Sequence, residues 1–168
     1  MRHIAFAAVL LCAGIVTLPV AGAFAPSAAA QGRDDDRKKD DEKRKKEKER
    51  ERVKQRETAL KAIGSAFAAK DIASLLARVP KDAKIQLTLG GDDGEYAVDQ
   101  ARGVLDKYFG KFERLSVEFK TAEDDVGSFT MTLRRKGEDK ELTRKLYVKI
   151  KGPDASGRVT LVALNVDA

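Results

Sequence analysis

The chain has 168 residues, 33 Lys/Arg against 27 Asp/Glu, one Cys, one His and no Trp. That length holds one domain and a little more. Cys12 and His3 both fall in the first thirty residues, so the rest of the chain excludes disulfides, thiol catalysis, His-based triads and the usual zinc sites.

The chain opens with a short positive stretch, Met1-Arg2-His3, and residues 4–30 then carry no charge. Ala28-Ala29-Ala30 before Gln31 is a small-residue cleavage site, so residues 1–30 read as a secretory signal peptide. Pro26 argues against an earlier cut after Ala25. Leu11 before Cys12 argues against a lipoprotein attachment site. The expected address is secreted or periplasmic. The alternative is an uncleaved leader that anchors the chain in a membrane; Pro19, Pro26 and the small-residue end favour cleavage.

Residues 31–57 form a charged, low-complexity arm. From Arg33 to Glu57 it holds thirteen Lys/Arg and ten Asp/Glu, a net +3, and Val53 is its one apolar residue. Such a stretch does not fold alone. Lys and Glu at i, i+3 and i+4 spacings favour helix, so disorder near Gly32 is expected to pass into a solvated helix towards Arg56. No a/d seam supports a coiled coil. The arm reads as a spacer, or as a weak adhesive contact with anionic polymers or a membrane surface. Its near-balance of signs argues against nucleic acid. Residues 58–168 form the domain and hold nineteen basic and seventeen acidic residues, so they are almost neutral.

Helical periodicity begins with Leu60, Ile63 and Phe67, flanked by Ala59, Ala62 and Ala66, and ends near Lys70. Asp71 reads as the cap of a second helix with Ile72, Leu75, Leu76 and Val79, stopped by Pro80. Residues 84–89 alternate strictly, a strand with Ile85, Leu87 and Leu89 inward, closed by Gly90 and Gly91. Asp92-Asp93-Gly94 reads as a turn. Residues 96–112 then read as an amphipathic helix through Val98, Ala101, Val104, Leu105, Tyr108, Phe109 and Phe112, with Gly110 as a stop signal near its end. Gly103 within it suggests close packing on a strand.

Four strands follow. Leu115, Val117 and Phe119 mark the first; Phe129, Met131 and Leu133 the second. Leu142, Leu146, Val148 and Ile150 mark the third, with Arg144 breaking the apolar side. Residues 159–166 are apolar on both faces, which predicts a central strand. Short polar connections predict hairpins and an antiparallel sheet. The class is α+β, with the helices gathered on one face.

This order resembles the nuclear-transport-factor-two-like superfamily, and more narrowly a bacterial secreted family of unknown function with that fold, over about residues 57–167. The residues that carry the resemblance are Tyr96, Gln100-Ala101, Val104-Leu105 and Tyr108-Phe109, with the strand KIQLTLGGDDGEY before them. Ala97 stands where the family tends to carry a Ser cap, so that helix end is expected to fray unless Asp99 compensates. The resemblance implies a cone-shaped, strongly bent antiparallel sheet closed by three helices, with a cavity between sheet and helices. Candidate lining residues are Tyr96, Tyr108, Phe112, Phe129, Met131 and Tyr147.

The expected function is a non-catalytic binding module of the cell envelope, holding a small apolar ligand in the cone. The other reading is a protein-interaction module that forms a homodimer, or meets an envelope protein, through the outer sheet face, with residues 159–166 supplying the surface. Relatives in the superfamily run isomerase and dehydratase chemistry. Without a mature His the base here would be a carboxylate of raised pKa. Glu118 and Glu141 sit on strands, but alternation turns both away from the apolar side. No catalytic residue, metal ligand or cofactor is assigned. Arg134, Arg135, Lys145, Lys149, Lys151 and Arg158 form either a basic patch on strand ends or a solvated face.

Overall fold

The computed structural model describes residues 31–167. The expected leader, with its cleavage site, Cys12 and His3, lies outside the described residues. The chain divides into two units between Asp40 and Asp41, inside the charged arm. Among the described residues no helix is long and apolar enough to cross a membrane.

Helix α1 runs from Gln31 to Ala68. It runs without a break past Glu57, where the arm meets the domain. A run of Lys, Arg and Glu has high helix propensity, and pairs such as Glu57–Lys61 at 2.6 Å support it at i, i+4. Its last turns bury Ala59, Leu60, Ile63 and Phe67. Lys70, at φ 58°, ends the helix in the left-handed region. Its N–H reaches Phe67 O at 3.1 Å and the N–H of Asp71 reaches Ala66 O at 2.9 Å, the two bonds of a Schellman end. The Lys70 ammonium donates to Phe112 O at 2.6 Å and so ties this end to the sheet. Asp71 caps α2 (Ile72–Leu76), accepting from Ser74 N at 3.0 Å.

Strand β1 (Lys84–Leu89) turns through Gly90 and Gly91, at φ 56° and 112°, into β2 (Asp92–Ala97). The turn is thus the Gly pair, and Asp92-Asp93-Gly94 is strand. Tyr96 belongs to β2, opposite Ile85, and not to the helix. Helix α3 covers Val98–Phe109. Ala97 offers no capping oxygen, but the Gln100 side chain reaches back and accepts the Ala97 N–H at 3.2 Å. Gln100 thus supplies one half of a capping box, and the half that a Ser at position 97 would supply is missing. Phe112 lies beyond α3 and opens β3 (Phe112–Glu123).

Strands β4 (Val126–Arg135), β5 (Glu141–Lys151) and β6 (Thr160–Val166) complete one sheet in the order β2-β1-β6-β5-β4-β3. β6 is internal, as its apolar character predicts. The sheet is antiparallel except at β1–β6, which pair parallel. A hairpin would make neighbouring strands antiparallel; β6 instead arrives from the far end of the chain and slots between β1 and β5. Within β6 the register jumps between Lys149↔Ala163 and Ile150↔Leu161, a bulge at Val162. Leu161, Leu164 and Val166 are consequently all buried. The two apolar faces in the sequence are largely one buried face, switched in phase by one residue.

The helices cover the inner face of the curled sheet, and one core runs between them. Its tightest point is Phe129, 2 % exposed. A Cβ on Gly64 of α1 would overlap the Phe129 ring, and one on Gly127 would stand 2.9 Å from Leu60 Cδ2. A Cβ on Gly103 would meet nothing within 4 Å. Gly64, not Gly103, is where a helix makes its close approach. Two opposite effects follow. Gly103→Ala raises stability by about 0.5–1 kcal/mol, the helix-propensity gain. Gly64→Ala lowers it by about 1–3 kcal/mol, through overpacking. Urea melts of both variants check the pair, and a loss for Gly103→Ala would place α3 closer to a strand than described.

Candidate functional site

The sequence candidates separate into three environments. Tyr108, Phe112, Phe129 and Met131 are 0–5 % exposed. Phe67 meets Phe109 edge-on at 4.9 Å, Tyr108 meets Phe112 at 5.0 Å, and Phe119 meets Phe129 at 5.4 Å. These rings fill the inside of the cone, and their contacts are packing contacts. Tyr96 is half-buried on the edge strand, against Gly94 and the core. Tyr147 is on the other side. Leu146 and Val148 point into the core, so alternation turns Tyr147 outward, in register with Ser128 and Asn165. Tyr147 therefore leaves the set of inner residues.

Arg144 shares the inner register of β5, opposite Met131, and is half-buried. It is the residue that interrupts the apolar alternation in the sequence. Burial pushes the Tyr108 phenol up to about 12, against the positive charge of Arg144, which pulls it down. The inner face thus presents a protonated phenol and a guanidinium. The strand carboxylates Glu118 and Glu141 are exposed and ion-paired with Lys120 and Arg114, at 2.8 Å and 3.7 Å. Among the described residues no cluster of His, Cys, Asp and Glu has metal-site geometry.

Open volume lies outside the cone. A groove of about 610 Å³ runs between α1, the end of α2 and the β5–β6 loop. Ala59, Ala62, Ala77 and Val159 line it together with Lys54, Arg78 and Arg158, and Glu51 sits on the α1 side. The loop that forms one wall is internally bonded. Asp154 Oδ1 accepts from Ser156 N at 2.8 Å, Ser156 Oγ at 2.7 Å and Arg158 N at 2.9 Å. Those bonds, the Ser156 hydroxyl first, hold the Asp154 carboxyl below the usual range. Arg56 ties α1 to the same loop: its Nε donates to Gly152 O at 2.9 Å. The same Nε lies 3.3 Å from Asp125 Oδ1. Sequence reading passed over Arg56, Arg78 and Asp154. The Asp-x-Ser turn of residues 154–156 was the available signal.

No family model matches the chain, and no curated protein matches its sequence. Solved structures do match. An NTF-2-like protein of unknown function from Burkholderia xenovorans LB400 aligns with TM-score 0.51 at 15% identity, over 69% of this chain and 84% of that one. AclR, a putative hydroxylase from Streptomyces galilaeus, aligns with TM-score 0.50 at 16% identity, over 67% and 77%. A DUF4783 family protein from Bacteroides ovatus ATCC 8483 gives TM-score 0.45 at 14% identity, over 63% and 91%. At such identities the likeness concerns the fold. This chain has the nuclear-transport-factor-two-like fold, as its residues led one to expect. That fold carries an enzyme name in one neighbour and none in another, so no activity follows from it.

The Tyr108 environment is measurable. Alkaline absorbance titration should show one phenol ionising near 12, absent in Tyr108→Phe and moved still higher in Arg144→Gln. The folded value exceeds the ordinary 10.0, so the associated stability is complete below pH 10 and is lost as pH rises towards about 12. The loss amounts to ~2–3 kcal/mol. A titration with no phenol ionising near 12 would mean that Tyr108 reaches water.

Proposed function

We propose that this chain is a non-catalytic binding module of the cell envelope. In this reading its ligand is a small anion with a compact apolar part, and it sits in the groove between α1 and the β5–β6 loop. The observation that carries the reading is the groove itself, about 610 Å³ with small apolar side chains between three cations. That volume is in the range of small-molecule sites. The cone interior, where sequence placed an apolar ligand, is occupied by Tyr108, Phe112, Phe129 and Met131. The envelope address rests on the leader in residues 1–30.

Two facts weigh against the other readings. An enzyme using a carboxylate base needs that carboxylate beside a phenol donor, and Glu118 and Glu141 are exposed and point away from the core. A dimer through the outer sheet face needs an apolar surface, and that face carries Thr130, Thr132, Lys145 and Lys149 at its centre.

Native mass spectrometry of the protein purified gently from its own host tests the proposal. The expected mature chain begins at Gln31 and carries a non-covalent adduct of small mass. Ala62→Trp, which fills the groove from an exposed helix position, should lower adduct occupancy by about 10-fold or more. A bare wild-type protein sinks the ligand reading, and an adduct unaffected by Ala62→Trp moves the site elsewhere. An intact mass starting at Met1 sinks cleavage of the leader.

A further inference from the structure

On the outer face of β5 the side chains of Lys145, Tyr147, Lys149 and Lys151 stand in a row. Leu146, Val148 and Ile150 between them are buried, so the alternation of the strand fixes all four outward. Neighbours on one face of a strand are about 7 Å apart, which makes a line of charge about 20 Å long. The three lysines are exposed. Among the described residues the ion pairs engage other cations and leave these three without a carboxylate. Glu118, two strands away in the row of Lys145, is held by Lys120 at 2.8 Å. Lys84 adds a further exposed cation on the same face of β1. It sits two residues before Gln86, which aligns through Ala163 with Lys149.

The groups between the cations are hydroxyls and amides. Tyr147 lies between Ser128 of β4 and Asn165 of β6; Thr130 stands beside Lys145, and Thr160 opposite Lys151. These side chains are half-buried or exposed, so they form a surface of fixed donors and acceptors beneath mobile ammonium heads.

We propose that this face binds an extended anionic polysaccharide, a glycan bearing carboxylate or sulfate groups at intervals, laid along β5. The charge is complementary: a row of unpaired ammonium groups meets a row of anions. Lys presents a compact point charge with three donors, and such a charge does not demand the fixed two-pronged geometry that Arg does. The chemistry between the charges suits sugars, since Ser, Thr, Asn and the Tyr hydroxyl exchange hydrogen bonds with ring hydroxyls. A single half-buried Tyr does not provide the succession of stacking surfaces that a single-stranded nucleic acid uses. The inference is independent of the groove, which lies at α1 and uses none of these residues.

The test is retention of the full chain on immobilised polygalacturonate and dextran sulfate, with neutral dextran and a single-stranded oligonucleotide as comparisons. The wild-type protein should bind both anionic glycans, release with rising salt, and pass through neutral dextran. The triple variant K145Q/K149Q/K151Q should bind about 10-fold or more weakly, with an unchanged circular-dichroism spectrum. A matched triple variant in the arm, K43Q/K45Q/K46Q, should keep most of the affinity. Tyr147→Ala should weaken binding without changing its salt dependence. Equal losses from the two triple variants, or none from the β5 variant, would overturn the proposal and leave the arm as the polyanion contact. Tighter binding to the oligonucleotide than to the glycans would replace a glycan partner with a nucleic acid.

Discussion

The fold depends on how close α1 comes to the sheet. Phe129 of β4 occupies the space that a Cβ would take at Gly64 on the helix, and Gly127, two residues before it, leaves room for Leu60. One ring therefore needs two glycines from distant parts of the chain. With α1 at that distance, its other contacts fall into place. Phe67, one turn beyond Ile63, meets Phe109 and brings α3 against the same core. Arg56, one turn before Leu60, reaches the β5–β6 loop. Lys70, just past the helix end, reaches the start of β3. The part of α1 from Arg56 onwards, packed around Gly64 and flanked by a cation on a carbonyl at either side, has little freedom to shift along the sheet.

Much of this was legible because burial imposes a period. Ile85, Leu87 and Leu89, and Phe129, Met131 and Leu133, are buried as their alternation says. The same holds for the stripe Leu60, Ile63, Phe67 on α1. What escaped were features that tertiary partners decide. Asp92-Asp93-Gly94 is composed like a turn, yet it is an edge strand because β1 supplies the hydrogen bonds and Gly90-Gly91 makes the turn. Phe112 continues the helical spacing of α3 by coincidence, since Gly110 ends the helix and its apolar side chain serves β3. The β6 bulge is invisible to a count of apolar residues, because a strand with two apolar faces and a strand with one face and an inserted residue look alike in sequence. The parallel pairing of β1 with β6 depends on where the last strand arrives, and no local signal encodes that.

The candidate site was less legible, for a related reason. Aromatic residues at inward positions are called for equally by a full interior and by a lined cavity. Only side-chain placement separates the two, and here Tyr108, Phe112 and Phe129 touch other rings. Tyr147 is a lining candidate by residue type, and its strand parity, legible in the alternation with Leu146 and Val148, turns it out. Arg144 was noticed as an interruption, and it is indeed the cation on the inner register. The groove wall was missed because it is made by a loop, and its order comes from hydrogen bonds to Asp154 rather than from any apolar pattern.

A filled interior divides the molecule into positions the fold must specify and positions it leaves open. The inner registers of β4 and β5 are held to apolar residues by the core, with Arg144 the exception at its margin. Their outer registers need only be polar, and the two strands meet that need differently. β4 uses Ser128, Thr130 and Thr132, short groups that suit a sheet surface. β5, its neighbour in the same sheet, uses Lys145, Lys149 and Lys151 around one Tyr. Lysine is depleted in strands and repels its own kind along a face, so folding alone gives no reason for the choice. Edge protection gives none either, because β5 is internal, between β4 and β6. Three cations without carboxylate partners among the described residues, on one internal strand of a near-neutral domain, are the charge that the proposed glycan would meet.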